Sequence, residues 1–480
     1  MKTQQSIGYQ LDMFTEQKLK SMIHSEERED VNRTQAGKES QVNGVGVQGR
    51  ALAGSMMAQI CSHQNIRLAY QRVKQNKGSS GIDQMAVGDF AAWFNEHGDT
   101  LIEALLRGTY KPSPIRVIEI PKLNGGLRKL GIPTVTDRII QQSIAQVLSP
   151  IYEPLFSNYS YGFRPKRNVH QALRQASVYV AEGKYRVVDM DLESFFDQVN
   201  HDRLMYQLSR TIKDKTLLRL IRKYLQSGVL IGGLEQQRHQ GTPQGSPLSP
   251  LLSNIVLDEL DKELERRGHS FVRYADDVSI YVRSEKASER VLESISYFIT
   301  DRLKLKINEQ KSVICESDQT QLLGYRIHGD GTLDIGKLSL ERFKSKVRKL
   351  TKRNRGRALS KIISELNTYF RGWIQYFRHG GRISVFRILD QWIRRKLRCY
   401  RIKQCKRVIG LYRFLRSLGV GNWPSWKLAL SGKGYWRKSS SVQSHVGMNL
   451  KWFETQSLFS LSLNHNLLNN KLKPPSTRVC

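Results

Sequence analysis

Apolar and polar positions divide the chain into segments of different character. Residues 1–55 are polar, rich in Gln, Glu, Ser and Gly. They hold one weak helical stretch over Asp12–Ile23 and a linker-like run, NRTQAGKESQVNGVGVQGR. From Met56 to Asn76 the spacing predicts an amphipathic helix, stopped by the glycines of KGSSG. VIEIPKLNGGLRKLGIP reads as two short strands joined at Asn124-Gly125-Gly126. TVTDRIIQQSIAQVLSPIY then sets Ile139, Ile140, Ile144, Val147, Leu148 and Ile151 along one helical face, with Thr134 or Thr136 as N-cap. YRVVDMDLESFFDQVNHDRL predicts strand then helix, and HQGTPQGSPLSPLLSNIVLDELDKEL a Gly/Pro-rich loop feeding a long helix. FVRYADDVSIYV predicts a tight strand–turn–strand. A helix around Glu289–Leu303 and two strands, LKINEQKSVI and QLLGYRI, follow. Helices and mostly antiparallel strands alternate without regular parallel crossovers, so the fold class is α+β. Beyond Asp334 the pattern is helical and basic to about residue 417, then Trp-, Gly- and Ser-rich with little periodicity.

Charge sharpens this picture. The 480 residues carry 77 Lys+Arg against 43 Asp+Glu, a net +34. The excess is clustered: residues 341–407 hold 22 Lys/Arg and 3 Asp/Glu, so +19 of it lies there. Even scatter would suit solubility alone; clustering favours a polyanionic partner, nucleic acid first. Five scattered cysteines form no CxxC pair, which gives no zinc or disulfide framework and fits reduced thiols in a cytoplasm. No apolar run reaches about 18 residues, and the N-terminus lacks the form of a signal peptide, so no membrane partner is expected.

The chemistry concentrates in carboxylates. Asp276 and Asp277 interrupt an apolar run, and burying such a pair calls for a balancing cation. In VVDMDLESFF, Asp189 and Asp191 alternate with Val188 and Met190, and Asp191 stands where strand gives way to helix. Carboxylate ligands completed by substrate phosphates describe a Mg²⁺ phosphoryl-transfer site. A lone Asp-Asp is ordinarily an exposed turn, and the acids of DMDLESFFD could be caps and surface charges. What is specific is the order: strand-end aspartate, glycine-rich loop, then Tyr-x-Asp-Asp hairpin. That order resembles the palm of a template-copying polymerase.

The segments NKGSSGID, IPKLNGGLRKLGIPTVTDR, SYGFRPKRN, DLESFFDQVNH, GTPQGSPLSPLLSNIVL, YADD, INEQKS and LLGYRI resemble, in order, the reverse-transcriptase blocks of group II intron-encoded proteins. The match runs from about Asn76 to Ile327, and LNTYFRGWIQYFRHG resembles that family's maturase domain. The resemblance implies a right-hand polymerase with fingers and palm over 56–335 and a helical thumb/maturase region over 336–417. Residues 1–55 would be a flexible extension and 418–480 a basic tail, a candidate for DNA binding. Asp191, Asp276 and Asp277 would be the catalytic carboxylates holding two Mg²⁺, with Asp189 the rival to Asp191 and Asp197 outside the first rank. Arg116, Lys122 and Arg128 would grip the incoming triphosphate, as arginine forks suit phosphate oxygens. Phe196 would exclude a 2′-hydroxyl, leaving Phe195 to the core. Gln244 would sit near the nucleotide beside Gly245, and Lys311 would protonate departing pyrophosphate. Lys129 stands where relatives often have proline, which implies a less rigid loop.

Tyr159, Tyr161 and Phe163 are interleaved with Arg164, Lys166 and Arg167, which favours template contact for the block. In RFKSKVRKLTKRNRGR, Phe343, Val347 and Leu350 mark a docked face, leaving Lys346, Arg348, Lys349, Lys352 and Arg353 for phosphates of the template–primer duplex. Expected partners are group II intron RNA, a DNA primer or target and deoxynucleoside triphosphates. The expected location is the cytoplasm, by resemblance bacterial, and the nucleoid when on DNA. His445 and His465 have no cysteine pairs near them, so no nuclease signature is read and priming from nicks or replication forks is expected. Two other readings stand beside this one: an RNA-binding splicing factor with a polymerase relic, and a host-defence reverse transcriptase. An intact acidic triad argues against the first and LNTYFRGW against the second. A viral RNA-copying polymerase would carry Gly-Asp-Asp instead.

Overall fold

The computed structural model describes residues 55–121, 127–231, 234–236 and 238–472, without the side chains of 128, 231, 234, 235 and 470–472. The described chain divides into two compact units between Ser317 and Asp318. Strands of the first unit are β1 (Ile115–Pro121), β2 (Leu127–Ile132), β3 (Arg186–Met190), β4 (Val229–Ile231), β5 (Leu234–Gln236), β6 (Ser270–Tyr274), β7 (Asp277–Val282) and β8 (Val313–Glu316). They form two four-stranded sheets, ordered β2-β1-β4-β5 and β6-β7-β3-β8. The first contains the β1–β2 hairpin that Asn-Gly-Gly predicts, paired from Pro121↔Leu127 back to Arg116↔Ile132; its tip lies outside the described residues.

The second sheet is antiparallel throughout, with β3 between β7 and β8. Val187, Val188 and Met190 of β3 are buried, as expected for a central strand. Helix Glu285–Asp301 packs on β3, β7 and β8, and helices Val169–Ala181 and Ser249–Arg266 cover β6. Val188, Phe271, Ile280, Leu257, Leu260 and Ile295 have no exposed surface and form the centre of this core. Each such side chain contributes about 1.5–3 kcal/mol by leaving water. Thr134 is the N-cap of helix Val135–Tyr152, its hydroxyl accepting from the Asp137 N–H at 3.2 Å. The helix predicted over 56–76 is two helices, Met56–Cys61 and His63–Gln75, separated at Ser62, whose hydroxyl caps the second.

In the second unit β9 (Tyr325–Ile327) and β10 (Leu333–Ile335) form a hairpin ahead of helices Lys337–Leu350, Leu359–Tyr376, Ile383–Gln404 and Val408–Ser417. The hairpin thus lies in the compact unit that begins at Asp318. Tyr325 is fully buried against Phe377 at 5.1 Å, and the Tyr376 hydroxyl donates to the Leu323 carbonyl at 2.9 Å. These contacts tie the hairpin to the helices that follow it. The segment 418–472 lies in the same compact unit. Its last helix, Leu461–Leu472, packs along Ile383–Gln404. There the buried Asp390 accepts from the N–H groups of Leu461 (2.9 Å) and Ser462 (3.0 Å) and from both flanking serine hydroxyls. A carboxylate far away in sequence caps this helix.

Candidate active site

β3 and β7 run antiparallel with Met190 opposite Val278. The next residues outward, Asp191 and Asp277, thus leave neighbouring strands at the same end of the sheet. Tyr274 pairs with Asp277, which makes Ala275-Asp276 a two-residue turn. Ala275 has φ +61, a left-handed conformation costly for a residue with a Cβ. Its surroundings hold it there. Arg273, with no exposed surface, donates to both oxygens of the equally buried Asp261 (2.7 and 2.6 Å), to Asn254 Oδ1 (3.0 Å) and to the Ala275 carbonyl (2.9 Å). Gly162 lies so near that a Cβ there would overlap the Ala275 backbone nitrogen. Asp276 is half-buried and Asp277 exposed. The expected burial of the pair is corrected: the turn projects past the sheet end, so both aspartates leave the apolar run.

Asp191 is half-buried, and its Oδ2 accepts from the Lys311 ammonium at 2.9 Å. The predicted strand LKINEQKSVI shortens to Val313–Glu316, and INEQKS becomes a loop fitted to Asp191. Asn308 N–H donates to the Asp191 carbonyl (2.9 Å), Asp191 N–H to Ser312 Oγ (3.2 Å), and Glu193 N–H to the Lys306 carbonyl (2.9 Å). Asp189, the rival, accepts from Ser279 Oγ across the sheet at 3.0 Å. Among the described residues no three His, Cys, Asp or Glu side chains are grouped closely enough to hold a metal ion. Asp191 is brought to the hairpin's end of the sheet, and its charge is met by Lys311. The donor chemistry suits a hard divalent cation, since carboxylate oxygens are what Mg²⁺ takes.

Phe195 is buried and Phe196 half-buried, the rings edge-to-face at 5.3 Å, and Phe196 packs partly against the core that holds Phe195. The GTPQGS loop reaches both this helix and β2. Thr242 N–H donates to the Phe196 carbonyl (2.6 Å), and Gly131 N–H to the Gln244 carbonyl (2.8 Å). Gly245, at φ +107, approaches the Gly131 carbonyl where a Cβ would meet it at 2.5 Å, so glycine is required there. Gln244 is half-buried. Arg116 is half-buried on β1, its Nε buried without a partner. Lys122 lies outside the described residues. Arg128 pairs through its backbone with Ile120, its side chain being outside them. Lys129 is exposed.

Arg164 is a correction. It is buried, with Nε and Nη2 on the Glu153 carboxylate and Nη1 on the Ser157 and Ser160 carbonyls, so it braces its own loop. Tyr159 packs on Phe271, and Tyr161 is buried under Arg167, which also bonds to Asn158. Two backbone hydrogen bonds at 2.9 Å join this segment to β6 through Arg273. Lys166 and Phe163 remain exposed. In the second unit Phe343 and Val347 are buried, while Arg348, Lys349, Lys352 and Arg353 are exposed and Lys346 half-buried. Lys346 lies over Tyr369 (5.9 Å), Arg348 over Trp392 (5.8 Å) and Arg353 over Tyr435 (5.7 Å). The Arg273–Asp261 clamp, Gly162 and Ser312 went unread in the sequence.

Comparison with known proteins bears on the same segments. The pattern described as "Reverse transcriptase (RNA-dependent DNA polymerase)" matches residues 120–327, and "Group II intron, maturase-specific domain" matches 340–419. Group II intron-encoded protein LtrA of Lactococcus lactis subsp. cremoris is 32% identical over 337 residues, 55% of this chain and 55% of LtrA. Protein YkfC of Escherichia coli (strain K12) is 36% identical over 266 residues, 47% of this chain and 70% of YkfC. A putative COX1/OXI3 intron 2 protein of Saccharomyces cerevisiae is 30% identical over 54% of this chain and 37% of its own length. The chain thus spans about half the length of LtrA. No helix of the described residues is long and apolar enough to cross a membrane. With both domain patterns in order and most of YkfC covered, the chain belongs to the group II intron-encoded proteins, reverse transcriptase followed by maturase.

Proposed function

We propose that the chain is an RNA-directed DNA polymerase that copies intron RNA from a DNA primer, and a maturase that assists splicing and mobility of that RNA. The observation that carries the reading is the register placing Asp191 and Asp277 at one end of adjacent strands, beside the Asp276 turn. The reverse-transcriptase pattern suggests a divalent-metal-dependent polymerase. Asp191, Asp276 and Asp277 are the residues that would hold the metal, proposed as two Mg²⁺; as they stand they are not grouped closely enough to do so, and they would have to close on the ions as Lys311 leaves Asp191. When bound, these ions supply nucleophile activation and charge stabilisation at the leaving group.

The remaining steps belong to the chain's own groups. Arg116, Lys122 and Arg128 hold the triphosphate, and Gln244 lies against the nucleotide. Lys311, its side chain 65% exposed, has room to leave Asp191 and deliver a proton to pyrophosphate. Lys166, Arg167 and the basic face of helix Lys337–Leu350 with Lys352 and Arg353 meet phosphates of nucleic acid. Cytoplasmic work on nucleoid DNA fits those substrates.

Primer extension on an RNA template tests the polymerase. Deoxynucleotides are incorporated, and chelating the divalent ion stops extension; extension indifferent to chelation refutes the metal assignment. Phe196→Ala is expected to raise ribonucleotide incorporation relative to deoxynucleotide by about tenfold to a hundredfold, as removal of one steric contact does. Unchanged sugar selection in a competition assay removes Phe196 from this role. For the maturase, the protein accelerates self-splicing of its cognate RNA at low Mg²⁺; no acceleration leaves the polymerase alone.

A further inference from the structure

Helices Val135–Tyr152, His201–Thr211 and Ser249–Arg266 of the first unit border a cleft of about 360 Å³, the size of a small-molecule site. None of its lining residues has a role in the polymerase reading. Three of the ten hold a side-chain atom that is shielded from water and has no hydrogen-bond partner: the Tyr152 hydroxyl, Gln207 Oε1 and Asp258 Oδ1. Thirteen such atoms occur among the described residues, so the cleft collects far more than its share. Buried polar groups are ordinarily met, and a cluster of unmet ones beside one cavity marks a place that something else completes.

The neighbours do not complete them. Gln207 donates its Nε2 to Glu259 at 3.1 Å, and Arg203 holds the same carboxylate at 2.7 Å, which leaves the Gln207 oxygen over. Tyr152 is 4% exposed. Burial raises its pKa, and the Thr211 hydroxyl, near but out of hydrogen-bond geometry, lowers it. Burial likewise raises the Asp258 pKa, with the Lys262 ammonium opposing. Lys262 closes over Asp258 through a single i,i+4 ion pair and is itself 57% exposed. Helix surfaces give up such a pair readily.

The chemistry of the wall narrows the ligand. Gln207 Oε1 and Asp258 Oδ1 can only accept, so their partner donates. A small organic cation would donate, but the exposed Arg210 and Lys262 at the rim oppose it. The inner wall asks for neutral N–H groups and the rim for an anion. A guanine nucleotide has both, with N1–H and the 2-amino group side by side on one edge and phosphate on the ribose. Adenine, cytosine and uracil each set an acceptor beside their donor, which would face an acceptor here. Leu155, Phe156 and Ile255 supply the apolar surface for a flat base.

We propose that this cleft binds guanine, either as a free nucleotide or as an unpaired guanosine of RNA. Asp258 and Gln207 accept from its N1–H and 2-amino groups, and Arg210 meets its phosphate. Lys262 swings from Asp258 to the same phosphate, which uncovers the carboxylate for the base. The site goes beyond the polymerase reading and does not depend on it.

Equilibrium dialysis of labelled GMP against the full chain, with AMP as competitor, tests the free nucleotide. EDTA is present and primer and template are left out, so polymerase chemistry plays no part. GMP is expected to bind about tenfold more tightly than AMP, the discrimination that unpaired buried acceptors give. Asp258→Asn presents a donor to the base edge. GMP affinity then falls by about tenfold to a hundredfold, while xanthosine monophosphate, with a carbonyl in place of the 2-amino group, gains. An unfolded variant would bind neither. A fall for GMP with no gain for xanthosine monophosphate removes Asp258 from the base edge, and the site with it. Arg210→Gln weakens GMP several-fold and leaves guanosine unchanged. The RNA arm compares a single-stranded uridine oligomer holding one guanosine with one holding inosine, which lacks the 2-amino group. A preference for guanosine that Asp258→Asn abolishes, without GMP binding, assigns the guanine to RNA; GMP binding assigns the free nucleotide. GMP and AMP bound within about twofold of each other overturn the site. So does absence of GMP binding together with equal affinity for the two oligomers, and the three atoms then belong to ordered water. An inactive polymerase leaves these binding results standing.

Discussion

Replacing Asp276 with asparagine is expected to cut deoxynucleotide incorporation on the order of a thousandfold while leaving affinity for the primer–template within about threefold. The amide matches the carboxylate in size and removes only the charge, and the turn is fixed by contacts that do not involve this side chain. Arg273 holds the Ala275 carbonyl, and Gly162 presses on the Ala275 nitrogen. The turn keeps its geometry while a hard anionic ligand is lost. Asp189→Asn is the informative companion. Asp189 faces Ser279 within the sheet, and an amide oxygen can accept the same bond, so extension changes little. Steady-state extension rates and duplex anisotropy measure both variants. An Asp276→Asn enzyme retaining more than about a tenth of wild-type rate sinks the three-carboxylate assignment. Splicing stimulation by the same variant should persist, because the maturase-specific pattern lies in 340–419, within the other compact unit.

Local signals in the sequence carried the elements whose cause is local. Asn-Gly-Gly makes a hairpin wherever two apolar runs flank it, and Thr134 caps a helix for reasons contained in four residues. The Asp-Asp hairpin was legible in the same way, its exposure less so. An apolar run reads as buried until the sheet's end is known, and that end depends on β3 joining from about ninety residues upstream. Arg164 misled for the reverse reason. A basic residue among aromatics looks like a nucleic-acid contact, and only the fold supplies Glu153 and the two serine carbonyls that take up its donors. Long pairings also tie the β9–β10 hairpin to its helices, since Tyr325 meets Tyr376 and Phe377 across about fifty residues. Of the helices in 418–472, two take local caps from Ser441 and Asn449, and only the last draws its cap from far away, from Asp390.

Arg273→Met is expected to destabilise the first unit by about 3–5 kcal/mol, the usual result of leaving one charge of a buried pair alone. Asp261 has no exposed surface, and Arg273 donates to both of its oxygens. A methionine of similar length fills the space and strands the carboxylate. For a unit of this size the loss lowers the thermal midpoint by roughly 10 °C. Arg273→Met with Asp261→Leu removes both charges and recovers most of the stability, as buried ion pairs replaced whole by apolar groups commonly do. Recovery of fold should not bring recovery of function. Arg273 also holds Asn254, which donates to the Gly162 carbonyl (3.0 Å), and it holds the Ala275 carbonyl directly. Without that fork the left-handed Ala275 loses its strongest restraint, and Asp276 is no longer presented at the end of β3. Urea unfolding and primer extension on the single and double variants separate the two roles. A single variant within about 1 kcal/mol of wild type would show that the pair contributes no more than a surface ion pair does. A double variant with full activity would show that the hairpin keeps its shape without Arg273, and the restraint on Asp276 would then have to come from Gly162 alone.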